Sequence, residues 1–311
     1  MKLASNRVLL VTARILHVAV ALVFILAATM KALDPQSFIE QIATYGIFPD
    51  LSWLAAWVLI IVEFMLSFAL IVNFWPRVTP LLMSALLLFF IGITAYGMSI
   101  GLGENCGCFG NLVHRGPETV IIEDAVMLLA MLFALLVYWH KPVPGQNWRA
   151  VVTVAGGVLA VLLVAFSARI PADDLITQLR PGAQFSTWPI DGLYGTDLNS
   201  GTHVVFLFTV HSDDLQRDVN RMNSIAQHPA AVGPVGLVID GTQHLTSLMF
   251  EYAAAFPIGA IEPRFARPLY RTLPRVFILH NGAVTHTWSE LPDAADVVSA
   301  IQSISKETQR K

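Results

Sequence analysis

Along the first 170 positions, apolar residues run in blocks too long and too uniform for one face of an amphipathic helix. Four blocks, at 8–32, 51–74, 78–102 and 120–138, each approach the roughly 20 apolar residues that a membrane-spanning helix needs. A fifth, AVVTVAGGVLAVLLVAFSA at 150–168, has no charge and two central glycines. It decides on which side of the membrane the rest of the chain lies. After about residue 170 the pattern changes to short runs broken by turn residues. HVVFLF at 203–208 predicts a buried strand, and DDLQRDVNRMNSIAQ at 213–227 an amphipathic helix with an Asp-rich start, Asp213 being its N-cap. VGLVID at 235–240 predicts a second strand. LPRVFILHNGAVTHTW at 273–288 predicts a strand, an Asn-Gly hairpin and a partner strand. PDAADVVSAIQSI at 292–304 predicts a closing helix. The expected fold class is therefore a five-helix membrane bundle followed by an α/β soluble domain. The expected organisation is a four-helix membrane domain at 1–145, a fifth membrane helix and linker at 146–172, and the soluble domain at 173–311.

Composition agrees with this division. The chain is 55% hydrophobic and 13% charged, with mean hydropathy +0.62, which no ordinary soluble domain approaches. A formal net charge of −3 gives no case for nucleic-acid binding. The first span lacks a small-residue cleavage site before a polar stretch, so it reads as a retained signal anchor. Lys2, Arg7, Arg77, Lys141 and Arg149 fall on one set of loops. Asp34, Glu40, Asp50, Glu104 and Glu118 dominate the other set, against Lys31 and Arg115. The positive-inside bias then puts the N-terminus in the cytoplasm. The 102–119 loop and the soluble domain fall on the outer side, which in a bacterium is the periplasmic side of the inner membrane.

That orientation bears on the two cysteines of the chain, Cys106 and Cys108 in GENCGCFGN at 103–111. A periplasmic loop permits disulfide chemistry. Residues two apart in a bent chain reach the upper part of the Cα separation that a disulfide spans, and Gly107 eases the bend. Such a small ring closes too short a loop to stabilise the fold much and would be labile and oxidising. His114 and Arg115 would favour the reactive thiolate and Glu104 would oppose it. Two thiolates could also hold Cu(I) or share a zinc site, with His114 and Met98 nearest in sequence, but the spacing makes no standard metal site. Structural packing is the third reading. A disulfide generator that passes electrons to a quinone usually relays them through two cysteine pairs, and this chain has one.

Polar residues inside the spans are the other candidates. Glu63 lies midway along span 2, where a charge is expensive, and a pair with Arg14 or His17 of span 1 would compensate it. The site is either a proton or quinone site or a pair that locks two helices. Glu123 and Asp124 near the start of span 4 either complement the helix dipole or accept a proton from the thiols. Lys31 and Asp34 read as snorkelling and helix termination. Tyr45, Phe48 and Trp53 read as an interfacial aromatic belt. The scattered histidines of the soluble half show no ligand spacing.

Several of these residues also carry a resemblance. Arg14, KALDPQSF at 31–38, YGIFP at 45–49, Glu63, CGCFG at 106–110 and the acidic pair Glu123–Asp124 occur in the order seen in the MauE family of methylamine-utilisation membrane proteins, within the DoxX-like group. The resemblance covers about 130 positions and four of the five spans. It implies a role in maturing periplasmic methylamine dehydrogenase, whose small subunit is rich in disulfides. The order of elements in 173–311 resembles the thioredoxin fold, with Pro274 as its cis-proline beside a client-binding groove. It also resembles the thioredoxin-like partner that accompanies MauE proteins. One departure matters. Where a thioredoxin carries Cys-x-x-Cys, this chain reads TVHSDDL at 209–215, so the soluble domain cannot exchange dithiols itself. Two functions follow as expectations. The first is thiol–disulfide exchange through Cys106 and Cys108 with a periplasmic client or thioredoxin-like partner, a quinone being one candidate electron acceptor. The second is a non-enzymatic, membrane-anchored assembly factor.

Overall fold

A computed structural model describes residues 7–46, 49–101, 116–141, 143, 145–185, 190–193, 195–212, 214–229, 232–239 and 245–308. The chain divides into two compact units, Met1–Ile170 and Pro171–Lys311.

The first unit holds α1 (Arg7–Leu33), α2 (Pro35–Thr44), α3 (Ser52–Val72), α4 (Val78–Ser99), α5 (Pro117–Tyr138) and α6 (Asn147–Ala165). All but α2 are long and apolar enough to cross a membrane. Helix α3 packs on α1 and α6, α4 packs on α5, and α1 also meets α5. Each outward face keeps its leucines and valines exposed, for example Leu129 and Leu136 on α5 and Val151 on α6, as expected where lipid is the solvent. The short α2 was not anticipated. Asp34 ends α1, accepts the Ser37 backbone N–H at 3.1 Å as N-cap, and Pro35 occupies the first helical turn. Helix α3 ends with Asn73 in the left-handed region (φ 55°) and a Phe74 N–H donating to the Ala69 carbonyl at 2.8 Å, the closing bond of a Schellman motif.

The fifth span is an integral part of this unit. Its two glycines face α3. A Cβ on Gly156 would sit 2.7 Å from Phe68, and one on Gly157 would sit 2.9 Å from Met65. Small residues let membrane helices approach closely. A Gly156→Val variant should therefore lose about 1–3 kcal/mol of stability through overpacking. Thermal unfolding of the full chain in detergent would show it, and an unchanged midpoint would mean that α6 does not rest on α3 there.

The second unit contains β1 (Ile190–Asp191), β2 (Thr202–Thr209), β3 (Pro234–Ile239), β4 (Ile258–Ile261), β5 (Arg275–His280) and β6 (Ala283–Trp288) in one sheet of order β1-β4-β3-β2-β5-β6. Strands β2, β3 and β4 are parallel to their neighbours among themselves, while β5 runs antiparallel to β2 and β6 to β5. The helices are α7 (Asp173–Ile176), α8 (Leu215–Ala226), α9 (Leu245–Phe250), α10 (Pro263–Ala266) and α11 (Ala294–Thr308). The β2-α8-β3 crossover followed by the β5–β6 hairpin and α11 is the thioredoxin arrangement. The Leu273–Pro274 peptide is cis. Asn281 and Gly282 both have positive φ, the geometry of a type I′ hairpin turn.

The sheet is buried on both faces, which is why β2 reads as an unbroken apolar run. Val204, Phe206 and Phe208 pack on one side against Leu215, Val219 and Met222 of α8 and Val297 and Ile301 of α11. Val205, Leu207, Phe277 and Leu279 pack on the other side against Leu179, Phe185 and Leu269.

Candidate functional site

The membrane unit encloses a polar centre built from several helices. Lys31 of α1 and Glu63 of α3 form an ion pair at 2.5 Å, with side chains 4% and 0% exposed. The Lys31 ammonium also lies 5.1 Å from the ring centroid of Phe38 on α2 and 5.0 Å from that of Phe90 on α4, within reach of a cation–π attraction. Asp124 of α5 is also buried. Helices α1 to α4 thus each contribute a side chain to the surroundings of the Lys31 ammonium.

This arrangement corrects the expected partner of Glu63. Side chains on a helix lean toward its N-terminus. In the antiparallel pair α1 and α3, Lys31 near the end of α1 leans back into the bundle, and Glu63 leans toward it. Arg14, on the other side of Glu63 in depth, leans away. It donates instead to the Leu70 carbonyl at 2.8 Å and to the Ile71 carbonyl, satisfying backbone acceptors at the C-terminal end of α3. Arg149 does the same for the Asn73 carbonyl at 2.7 Å. His17 is fully buried and stacks on Tyr138 with ring centroids 5.3 Å apart. Its ring nitrogens have no hydrogen-bond partner among the described residues. Of the five expected membrane residues, the structure pairs Glu63 with Lys31, buries Asp124 on α5, and sets Arg14 and His17 apart from Glu63, Arg14 at the C-terminal end of α3 and His17 against Tyr138.

Lys31 itself is 5% exposed, not snorkelling to an interface. The signal for its burial was Asp34-Pro35, which folds α2 back and lays Phe38 beside the ammonium. Helix α5 starts at Pro117, so Glu118 occupies its first turn and takes the dipole-complementing place expected of Glu123 and Asp124. Tyr45 packs over Gly97, where an added Cβ would lie 2.8 Å from the ring. Trp53 is 54% exposed, as an interfacial residue would be. Cys106, Cys108 and Phe48 lie outside the described residues, as does Asp213.

In the second unit, Arg275 pairs in register with Leu207. Pro274 therefore lies at the end of β5 beside the C-terminal end of β2, where the turn that replaces a redox motif begins. There Ser212 Oγ donates to Asp218 at 3.4 Å, the Asp214 backbone N–H donates to Ser212 Oγ at 3.3 Å, and Arg217 pairs with Asp214 at 2.7 Å. Asp214 is the N-cap residue of α8. These contacts make a hydrogen-bonded helix start and supply no nucleophile with a positioned base.

A residue that periodicity did not flag is Arg275, 1% exposed at the start of β5. It donates to Thr177 Oγ1 at 2.7 Å, the Leu269 carbonyl at 3.0 Å and the Leu179 carbonyl at 3.1 Å, and lies 3.6 Å from Asp174. Burial pulls its guanidinium below the ordinary value, and the Asp173 and Asp174 carboxylates push it back up. Its chemistry is structural, fastening the segment around α7 across the sheet.

A bundle of membrane-crossing helices and a thioredoxin-like domain without a dithiol define a multi-pass membrane protein of composite type. Its membrane half is MauE-like: residues 9–138 match the model of the methylamine utilisation protein MauE family. The methylamine utilization protein MauE of Paracoccus denitrificans is 25% identical over 152 residues, covering 48% of this chain and 81% of the relative. Solved structures similar to the chain include a thioredoxin-family thiol:disulfide interchange protein of Chlorobium tepidum TLS (15% identity, 34% of this chain and 81% of that one, TM-score 0.29). A thiol:disulfide interchange protein from Bacteroides sp. also matches (11% identity, 41% and 91%, TM-score 0.33). The thioredoxin-like assignment rests on the strand order and crossover described above.

Proposed function

We propose that this chain is a membrane-anchored maturation factor, and that Cys106 and Cys108 exchange disulfides with a periplasmic client such as the small subunit of methylamine dehydrogenase. The match of residues 9–138 to the MauE family carries this reading. Both cysteines fall within that stretch, and no cysteine occurs in the thioredoxin-like unit. In the exchange, a client thiolate attacks one sulfur of the Cys106–Cys108 disulfide and forms a mixed disulfide. A second client thiolate then displaces the chain's cysteine. The client gains a disulfide, and Cys106 and Cys108 leave as two thiols, carrying two electrons and two protons. Reoxidation passes these to a membrane acceptor, for which a quinone has the matching stoichiometry. The thioredoxin-like unit would hold the client at the sheet end near Pro274. The orientation in this reading has the N-terminus in the cytoplasm and both Cys106–Cys108 and the soluble unit in the periplasm of a bacterial inner membrane.

The test is a Cys106→Ser strain. Loss of client disulfides, with normal levels of the variant in the membrane, supports exchange. Fully formed client disulfides would support the second reading, a binding or assembly factor without redox chemistry. The replacement of a Cys-x-x-Cys turn by the Ser212–Asp214 helix start favours that second reading.

A further inference from the structure

One end of the membrane bundle gathers cations without acids. Contacts between helix ends define it. Arg14, in the first half of α1, donates to the Leu70 and Ile71 carbonyls in the last turn of α3. Arg149, near the start of α6, donates to the Asn73 carbonyl just beyond that turn. Arg77, which precedes α4, donates to the Lys141 carbonyl just after α5 at 2.8 Å. The Trp75 backbone N–H donates to Gln146 Oε1 at 3.0 Å, joining the turn between α3 and α4 to the start of α6. This end therefore carries Arg7, Arg14, Arg77, Lys141 and Arg149. No aspartate or glutamate occurs in 1–33, 64–103 or 125–172, the stretches that contain it.

Depth and chemistry narrow the partner. Trp75, Trp139 and Trp148 belong to the same end and are exposed, and tryptophans of membrane proteins concentrate at headgroup level. The Trp148 ring lies 5.3 Å from the Arg149 guanidinium. Arg14 and Arg149 are half-buried. Together they bring two positive charges to the end of α3, whose dipole offers about half a negative charge. Each guanidinium has five N–H donors. Arg14 donates through Nη1 and Nη2 and Arg149 through Nη1, which leaves donors on both forks for a further partner. A group with one negative charge and several acceptor oxygens matches that excess, and guanidinium forks fit phosphate oxygens. At headgroup depth such a group is a lipid phosphodiester. A choline headgroup would bring its own positive charge, so the match is to a phospholipid with net negative charge.

We propose that this end of the bundle binds the headgroup of an anionic phospholipid such as phosphatidylglycerol. Arg14 and Arg149 hold the phosphate against the last turn of α3, and Arg7, Arg77 and Lys141 add attraction around it. The opposite end carries Asp34, Asp50 and Glu118 and selects against such a lipid, so the bundle reads the charge of one leaflet. The site depends neither on the cysteine chemistry proposed above nor on which leaflet is cytoplasmic.

Native mass spectrometry of the full chain, released from bilayers of equal parts phosphatidylglycerol and phosphatidylcholine, tests this. The parent should retain phosphatidylglycerol in preference. Arg14→Gln and Arg149→Gln should each lower that preference about fivefold, the roughly 1 kcal/mol that one Lys or Arg contributes near an anionic surface. Lys141 offers its carbonyl to Arg77 and its side chain caps no backbone group among the described residues. Lys141→Gln should therefore lower the preference without lowering thermal stability, which keeps the test open if the arginine variants do not fold. Arg169→Gln removes the same charge from the opposite end, beside Phe166, and should leave the preference unchanged. No preference in the parent, or an unchanged preference in Lys141→Gln and every folded arginine variant, would overturn the site. So would an equal loss in Arg169→Gln, which would make the attraction one of net charge. Displacement of the lipid by millimolar inorganic phosphate would overturn it too, since the site would then take a soluble anion.

Discussion

Replacing Lys31 with methionine should lower the stability of the membrane unit by about 3–5 kcal/mol, the usual effect of stranding one member of a buried ion pair. The magnitude follows from burial. Glu63 is fully buried and Lys31 is its one ion-pair partner among the described residues. The substitution also removes the cation held between Phe38 and Phe90, so the packing of α2 against the bundle should weaken too. Thermal unfolding of the detergent-solubilised chain measures the first effect, and limited proteolysis between α1 and α3 measures the second. A Lys31→Met, Glu63→Met double variant should lie closer to the parent than the single variant does, because apolar side chains of similar size replace a buried pair with little loss. A single variant as stable as the parent would show that the pair does not hold α1 to α3.

The second large effect is expected at Arg275. Arg275→Met would leave Thr177 Oγ1 and the Leu179 and Leu269 carbonyls without their donor in a buried setting. It would also leave Asp174 without the cation 3.6 Å away. Hydrogen bonds from a charged donor contribute about 1.5–3 kcal/mol each and are not additive, so a loss of about 3–5 kcal/mol is expected. The segment around α7 should become susceptible to protease before the sheet does. Arg275→Lys keeps the charge but not the planar fork that reaches three acceptors, and should fall between methionine and the parent. Equal protease resistance in all three proteins would contradict the fastening role.

Both residues show where sequence reading stops. The membrane helices were legible because about 20 apolar residues in a row have few other folds open to them. The β2-α8-β3 crossover and the β5–β6 hairpin were legible from an unbroken apolar strand, an amphipathic helix and Asn281–Gly282. Strand β4 was missed because four apolar residues between Pro257 and Glu262 carry too short a pattern to read. Helix α2 is hidden in the sequence because Asp34-Pro35, which ends α1, also caps and starts α2. The Glu63 pairing was missed for a different reason. Hydropathy gives depth in the membrane, and by depth Arg14 and His17 lie only somewhat to the cytoplasmic side of Glu63. Which side chains meet depends on their lean along antiparallel helices, and that lean brings Lys31 and Glu63 together from different depths. Arg275 was missed because a single arginine opening a strand reads as an edge residue, and only the return of Thr177 and Leu179 across the sheet makes it a core one.

The thioredoxin-like unit keeps the fold and the Pro274 sheet end while its redox turn has become a hydrogen-bonded helix start. In the function proposed above, electron transfer falls to Cys106 and Cys108, which lie in sequence between α4 and α5. The direct test is thiol trapping of these two cysteines in isolated membranes, with a mass-adding maleimide applied before and after a reductant and then a quinone. Disulfide exchange requires a pair that is oxidised at rest, opened by the reductant and closed again by the quinone. A pair that is reduced at rest and stays reduced with quinone present would contradict it.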